Sequence, residues 1–364
     1  MTATEALARM YADKFIERFE LIDGKWDEPL ITPSRFPQQN IAGNAYKGCN
    51  RSFLPVVASF HKFRLPLWMT AGQIQDLDIR IRKGESGSPV SFTELYIKDM
   101  YTGKRSSVTI DEYDAMEKNE RKERNLAKIF RVHWYKVFNI EQTTFSESYP
   151  ATIQELHKAF GASDGREINS GELDRMVSGG SWLCPIRTTG ASEKPRYDRN
   201  DDIILIPGKH TFSDDRSYYG TLLRLMARST GSELRLDRGI WSDLKGDTAK
   251  EALVSELCAA SMGALLGLGV TMDRNSESYL KSWIMTIDAE PSFIYEAVKE
   301  ASRASECLTD VLGIKLPKGV DITKVLSEQY AGKAAEAAKK RELRVSRNKD
   351  TVRIGKKKQT RHPI

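Results

Sequence analysis

Apolar side chains recur at spacings of three and four from the beginning of the chain: Leu7, Met10, Tyr11, Phe15 and Phe19 fall on one stripe between Glu5 and Phe19, the period of an amphipathic helix. From Pro33 to about Thr143 the pattern shortens to alternating runs such as Pro89-Val90-Ser91-Phe92 and Tyr135-Lys136-Val137-Phe138, punctuated by Gly and Asn. That predicts a small α+β domain rich in short strands. Within it, Asp111 to Lys128 is dense in charge and reads as a solvated helix or excursion with little core of its own. A stretch bearing Gly, Ser and Pro follows from Ser146 to Arg199, with Thr152 to Phe160 as a helix inside it. Asp202 to Pro207 has the length and branching of a buried strand that Pro207 ends. Helical periodicity then dominates, over Tyr218 to Ser229, Thr248 to Leu268, Ser276 to Ile287 and Ser292 to Leu312, with Gly231, Gly269 and Gly313 at C-cap positions. From Gly332 the composition turns to Ala, Lys and Arg, which predicts a frayed helix running into disorder. The fold class is α+β: a small α+β domain over residues 1–150, a mainly helical domain over 151–315 and a basic tail over 316–364.

Composition narrows the class. With 364 residues, 40% hydrophobic and 29% charged, the chain suits a soluble globular protein with a sizeable core. Cys258 to Val270 is the longest apolar run and too short to span a bilayer, so Leu257 to Val270 reads as a buried helix. The first residues lack the basic-then-apolar order of a secretory signal, and the expectation is a cytoplasmic protein with no membrane partner. Cys49, Cys184, Cys258 and Cys307 lie far apart without a Cys-x-x-Cys, which indicates neither a zinc knuckle nor a disulfide framework. Charge is uneven: residues 331–364 carry 12 Lys and Arg against 3 Asp and Glu, an excess larger than the whole chain's net of +6. A second basic region, Arg35 to Arg105, has 11 Lys and Arg against 5 Asp and Glu. Both could meet nucleic acid through charge, and the tail could equally be a solubilising end.

The helix over Tyr218 to Gly231 has the frame of a zinc-peptidase helix without its chemistry. A working frame reads His-Glu-x-x-His, two His one turn apart to hold the metal and a Glu to take a proton from its water. Here those positions hold Arg224, Leu225 and Arg228. A guanidinium offers a metal no lone pair and leucine has no basic atom. The five His (His61, His133, His157, His210, His362) include no pair three or four apart, so no metal, cofactor or catalytic residue is assigned. Arg224 and Arg228 read either as a salt-bridge cluster with Glu251, Glu256 or Asp237, or as a pocket in which two cations at i and i+4 hold an anion.

Four blocks, Tyr46-Lys47-Gly48-Cys49-Asn50, Trp68 to Gln73, Ile81 to Val90 and Tyr135 to Thr143, resemble in order and spacing the N-terminal single-stranded-DNA-binding domain of ArdC-like anti-restriction proteins. Tyr218 to Gly231, followed by Glu251-Ala252-Leu253-Val254-Ser255-Glu256-Leu257, resembles the metal-binding core of the zincin-like domain that the same family carries. The likeness covers roughly residues 5 to 312. It implies a DNA-binding domain joined to a zincin-like domain, with the later acidic ligand falling on Ala252 while Glu251 and Glu256 remain. Tyr279 to Trp283 resembles the segment that follows in the family, where Trp283 would pack the domain shut.

The candidate DNA-contacting set is Tyr46, Asn50, Arg51, Trp68, Arg82, Lys83 and Gly84. Arg51, Arg82 and Lys83 can neutralise phosphates, Tyr46, Trp68 and Phe92 offer faces to bases, and Gly84 and Gly87 let backbone approach a phosphate. The competing reading makes Trp68, Tyr135 and Phe138 core aromatics and Arg82-Lys83-Gly84 a charged turn. The implied function is a non-enzymatic, single-stranded-DNA-binding protein, an accessory of mobile-element transfer or anti-restriction, with a host defence or conjugation protein as a further partner. Two alternatives stay open: an interaction module that uses the degenerate cleft, and a metallopeptidase with unconventional ligands.

Overall fold

The computed structural model describes residues 2–23, 28–34, 36–161, 171–239, 245–273 and 277–329. The basic tail expected beyond Gly332, and Arg35, lie outside the described residues. Helix α1 (Ala3–Ile22) opens on a capping box, with the Thr2 hydroxyl accepting from the Glu5 N–H and the Glu5 carboxylate accepting from the Thr2 N–H at 2.8 Å. Its stripe Leu7, Tyr11, Phe15 and Phe19 is fully buried. Strand β1 (Gln39–Asn40), helix α2 (Cys49–His61), strand β2 (Leu67–Thr70) and helix α3 (Ala71–Asp76) follow. Then come two long strands, β3 (Ser88–Asp99) and β4 (Leu126–Asn139), flanking the short helices α4 (Ile110–Ala115) and α5 (Lys118–Glu123).

These strands form a four-stranded sheet in the order β1-β2-β4-β3, with β1 parallel to β2 and the other pairs antiparallel. The sequence predicted short strands; instead β3 and β4 pair without a break from Ser88 opposite Val137 to Asp99 opposite Leu126. The sheet base is in the core while the distal half of the hairpin projects, so its pattern lacks the sustained alternation of a half-buried strand. The charged segment at its tip is α4 and α5, neither of which buries a residue.

Helices α6 (Phe145–Ser148), α7 (Pro150–Ala159) and α8 (Gly171–Gly179) lead to a three-stranded sheet of β5 (Ile186–Thr189), β6 (Arg196–Asp198) and β7 (Ile203–Pro207), in the order β5-β7-β6. Beside it stand α9 (Asp215–Ser229), α10 (Lys245–Leu265), α11 (Glu277–Ala289) and α12 (Ser292–Val311), and α13 (Ile322–Gln329) closes the described chain. Gly313 ends α12 with φ +61°, as a C-cap glycine does. Gly231 and Gly269 are not in that conformation; the positive φ after α10 belongs to Gly267.

One core joins the first helix to the last ones. Tyr11 stacks on Phe53 of α2 at 3.8 Å between centroids and meets Tyr295 of α12 edge-on at 5.7 Å. Phe19 packs on Trp283 of α11, a buried indole whose Nε1 donates to the Ala249 carbonyl at 2.9 Å. Ser302 of α12 donates to Ser52 of α2 at 2.9 Å. A second, smaller core lies around Leu67, Met69, Ile140, Phe145 and Leu156, and it takes in Ile322 and Leu326. The chain reaches it because Gly43 and Gly319 permit a backbone crossing: a Cβ on Gly319 would stand 2.0 Å from the Gly43 carbonyl oxygen.

Candidate functional site: an exposed hairpin face and a buried helix pair

Successive side chains of a strand point to opposite faces, and this places Phe92 of β3 beside Arg131, His133 and Tyr135 of β4. Phe92 and His133 are register partners and stack at 5.1 Å and 14°, and Tyr135 lies 6.1 Å from Phe92. Phe92 is 51% exposed and Tyr135 41%, so this aromatic strip faces solvent. His133 Nε2 lies 3.0 Å from Glu94, which Arg105 also holds at 2.7 Å. The Glu94 carboxyl is kept below its ordinary value by the hydrogen bond to His133 first and Arg105 second, and its negative charge is thus spoken for. Lys83, Arg131 and Lys136 are exposed and form no ion pair among the described residues.

The sequence-derived contact set divides on this structure. Arg82 and Lys83 are exposed in a turn where Gly84 takes φ +87°, and Arg82 pairs with Glu147 at 2.7 Å. Trp68 is corrected to a core residue: it is fully buried, with its Nε1 donating to Gln38 at 2.6 Å, and presents no face to a base. Asn50 is also withdrawn, because its amide and carbonyl tie the backbone of Ser91 at 2.7 and 2.8 Å. Arg51 donates to Thr309 of α12, and Tyr46 is half-buried with its hydroxyl pushed up by burial. Tyr135, read as core, is exposed. The stacked His133 was missed; its only signal was its place opposite Phe92 once the strands are paired at full length.

Helices α9 and α10 position the other candidate residues. Asp214 caps α9 by accepting from the Ser217 N–H at 2.7 Å. Arg224 turns inward, with its Nε 2.9 Å from Glu256 Oε1, and both side chains are almost wholly buried. This contact is an ion pair by distance, the N–H not aiming at the oxygen; the well-directed bond runs from Arg224 Nη2 to the Thr271 carbonyl. Glu256 also accepts from the Asp273 N–H at 3.1 Å. Leu225 and Ala252 are buried, whereas Arg228 is exposed, so the two arginines do not converge on an anion.

Glu251 is held by a residue that sequence reasoning did not single out. Arg238, 1% exposed in its side chain, grips Glu251 from Nε at 3.2 Å and Nη2 at 2.7 Å. It also donates to the Thr230 hydroxyl and the Ala227 carbonyl, each at 2.7 Å, closing the C-terminal turn of α9. Gly231 makes room for this: a Cβ there would meet the guanidinium at 2.7 Å. Burial pushes the Glu251 carboxyl up against the pull of Arg238. A third pair, Arg235 with Asp202, is bidentate nearby. The salt-bridge reading therefore applies to Arg224 with Glu256, while Glu251 belongs to Arg238 and Arg228 stays at the surface.

Residues 5–138 match the family described as the N-terminal domain of anti-restriction factor ArdC, and residues 184–300 match the family described as zincin-like metallopeptidase. The crystal structure of antirestriction ArdC protein from the R388 plasmid, in its metal-free form, superimposes with a TM-score of 0.59 at 25% identity, over 84% of this chain and 97% of that one. The chain belongs to the ArdC-like family. This ArdC-like chain is 28% identical over 309 residues to a DNA primase TraC of Escherichia coli, covering 81% of itself and 26% of that protein. It is 27% identical to uncharacterized protein y4eC of Sinorhizobium fredii, covering 73% of itself and 79% of the relative. It thus spans about a quarter of the primase.

Zinc, the metal a zincin-like fold implies, does not fit the residues present. The helix positions that would ligate it carry two guanidiniums and a leucine. The nearby carboxylates of Glu251 and Glu256 are already occupied by arginines. Among the described residues no three His, Cys, Asp or Glu come together as a metal-binding group. Among them, too, no helix is long and apolar enough to cross a membrane.

Proposed function

We propose that this chain binds single-stranded DNA on the β3–β4 face and that its zincin-like domain serves as a non-catalytic part of the fold. The observation that carries the reading is the solvent-facing strip of Phe92, His133 and Tyr135 with the exposed Arg131 on the same face, a cation that forms no ion pair among the described residues. Exposed aromatics accept any base by stacking and cations follow the phosphates, the combination that single strands need. Duplex bases are already stacked on one another and offer such a strip little. Non-catalysis is supported by the chemistry at the helix pair, where no group can ligate a metal at positions 224 and 228 and no general base stands at 225. The biological setting we infer is an accessory role in mobile-element transfer or anti-restriction, in keeping with relatives named as an anti-restriction factor and a DNA primase.

Fluorescence anisotropy of labelled single- and double-stranded oligonucleotides across a salt series tests this, with the whole chain, residues 1–330 and an Arg82→Ala/Lys83→Ala variant. Preference for single strands that survives removal of the tail and weakens in the variant is the expected result. Binding that disappears with the tail would transfer the activity to residues 331–364 and end the hairpin reading. For the non-catalytic part, stoichiometric zinc together with peptide hydrolysis lost on Glu256→Gln would overturn it.

A further inference from the structure

A cavity of about 790 Å³ opens between α1, α2, α7 and the C-terminal end of α10, within the size range of small-molecule sites. Its lining includes neither the Phe92, His133 and Tyr135 strip nor any of Arg224, Leu225, Arg228, Glu251, Ala252 and Glu256. Most of the wall is apolar, with Leu21, Ile31, Phe36, Phe63, Phe160 and Leu265 among its side chains. Its rings do not form a flat slot. Phe36 and Phe160 meet edge-on at 82°, and Phe63 stands at 80° to the neighbouring Trp68. Walls set at right angles suit a chain that bends around them better than a planar body.

The polar part of the wall is basic. Arg18, Arg51, Lys62 and Arg64 line the cavity against one acid, Glu28. Ser59, also on the wall, is already satisfied: its hydroxyl accepts from the Thr32 N–H and donates to the Pro55 carbonyl, each at 2.8 Å. Arg51 donates from Nη2 to Thr309. Arg18 is placed differently. It is 4% exposed, and its Nε and Nη2 donate to the carbonyls of Leu30 at 3.3 Å and Pro29 at 2.7 Å. The third nitrogen of the fork, Nη1, donates to none of the described residues and keeps some accessible surface, unlike the sealed Nε of Arg51. Burial pulls this guanidinium below its ordinary value, and the charge of Glu28 acts against that pull without forming an ion pair. A buried cation held by carbonyls alone is matched in hydrogen bonds and not in charge. Lys62 and Arg64, on the exposed side of the lining, likewise form no ion pair among the described residues.

We propose that this cavity binds an aliphatic monocarboxylate, its carboxylate accepting from Arg18 Nη1 and its chain lying along the apolar wall. One buried positive charge matches one negative charge, which selects a carboxylate over a doubly charged phosphoryl head. Lys62 and Arg64 draw the anion in from solvent. The site does not rest on the hairpin reading, because the residues that carry the two are different.

Isothermal titration calorimetry on the whole chain tests it with decanoate, decanol and acetate, below the concentration at which decanoate forms micelles. One decanoate per chain is expected. Decanol has the chain without the charge and acetate the charge without the chain, and each should bind about tenfold more weakly or worse. Arg18→Met is expected to weaken decanoate about tenfold and to leave decanol unchanged. That variant also removes the donors to Pro29 and Leu30, so Lys62→Glu/Arg64→Glu, which alters exposed side chains only, provides a second reading. It should weaken decanoate about threefold while decanol binding and the melting temperature stay at the parental values. Phe92→Ala should leave decanoate binding unchanged whether or not it weakens single strands, so failure of one reading is told apart from failure of the other. No decanoate binding, decanol binding as tightly as decanoate, uptake that does not saturate at one per chain, or affinity indifferent to both charge variants would each overturn the proposal.

Discussion

The β3–β4 face and the α9–α10 pair both set Arg beside Glu, and solvent gives the two arrangements opposite meanings. On the hairpin, Arg105, His133 and Glu94 meet in the open, where water and salt screen an ion pair and leave it weak. Arg131, on the same face, forms no ion pair among the described residues and stays open to a polyanion. Between the helices, Arg238 with Glu251 and Arg224 with Glu256 are dry. Each charge there must be matched, and a matched charge has nothing left for a ligand. Where water reaches thus decides whether a charge stays available or is matched inside the packing.

The sharpest way to break this comparison is to unmatch one buried charge. Arg238→Ala leaves Glu251 in the interior with its partner gone, and strips the Thr230 hydroxyl and the Ala227 carbonyl of their donor. A loss of about 3 to 5 kcal/mol is expected in denaturant unfolding. An Arg238→Met/Glu251→Leu double variant should recover only part of it, because the α9 terminus stays uncapped. If Arg238→Ala cost no more than a surface pair, the buried pair would not be holding the helices.

On the hairpin the expected effect is on binding rather than on stability. Phe92→Ala and Tyr135→Ala should each weaken single-stranded DNA by about 1 to 3 kcal/mol, the usual loss for a stacked base, with little change in how binding varies with salt. Arg82→Ala/Lys83→Ala should instead flatten the salt dependence, by about 0.7 in log–log slope for each phosphate contact removed. Anisotropy titrations at several salt concentrations separate the two. Equal salt slopes for all variants would mean that stacking and charge are not divided between these residues.

What the sequence disclosed follows the same division between local and distant causes. The stripe from Leu7 to Phe19 and the helices from Tyr218 onward were legible because one apolar face at a helical period is a local property. The degenerate frame at Arg224, Leu225 and Arg228 was legible for the same reason. Trp68 was not: Leu67-Trp68-Met69 is apolar on both faces, and only the position of β2 inside the sheet decides that the indole is covered. Nor was Arg238, which lies in a loop without periodicity and whose partners come from α9 and α10. The strip of Phe92 and His133 depends on strands paired across 12 residues, a register no single segment records.

The smallest effect concerns how α9 is held in place at its other end. The Ser217 N–H holds the Asp214 carboxyl below its ordinary value of 3.8, so the ionised form is the one the fold favours. A depressed folded pKa contributes stability that is present above the unfolded value and is lost as pH falls through the lower, folded one. Asp214→Ala should therefore cost about 1 kcal/mol at neutral pH, with the difference from the parent shrinking only below pH 3.8. Chemical unfolding of both chains at neutral and acidic pH checks this. A gap that persists in acid would mean that Asp214 acts through packing rather than as a charged cap.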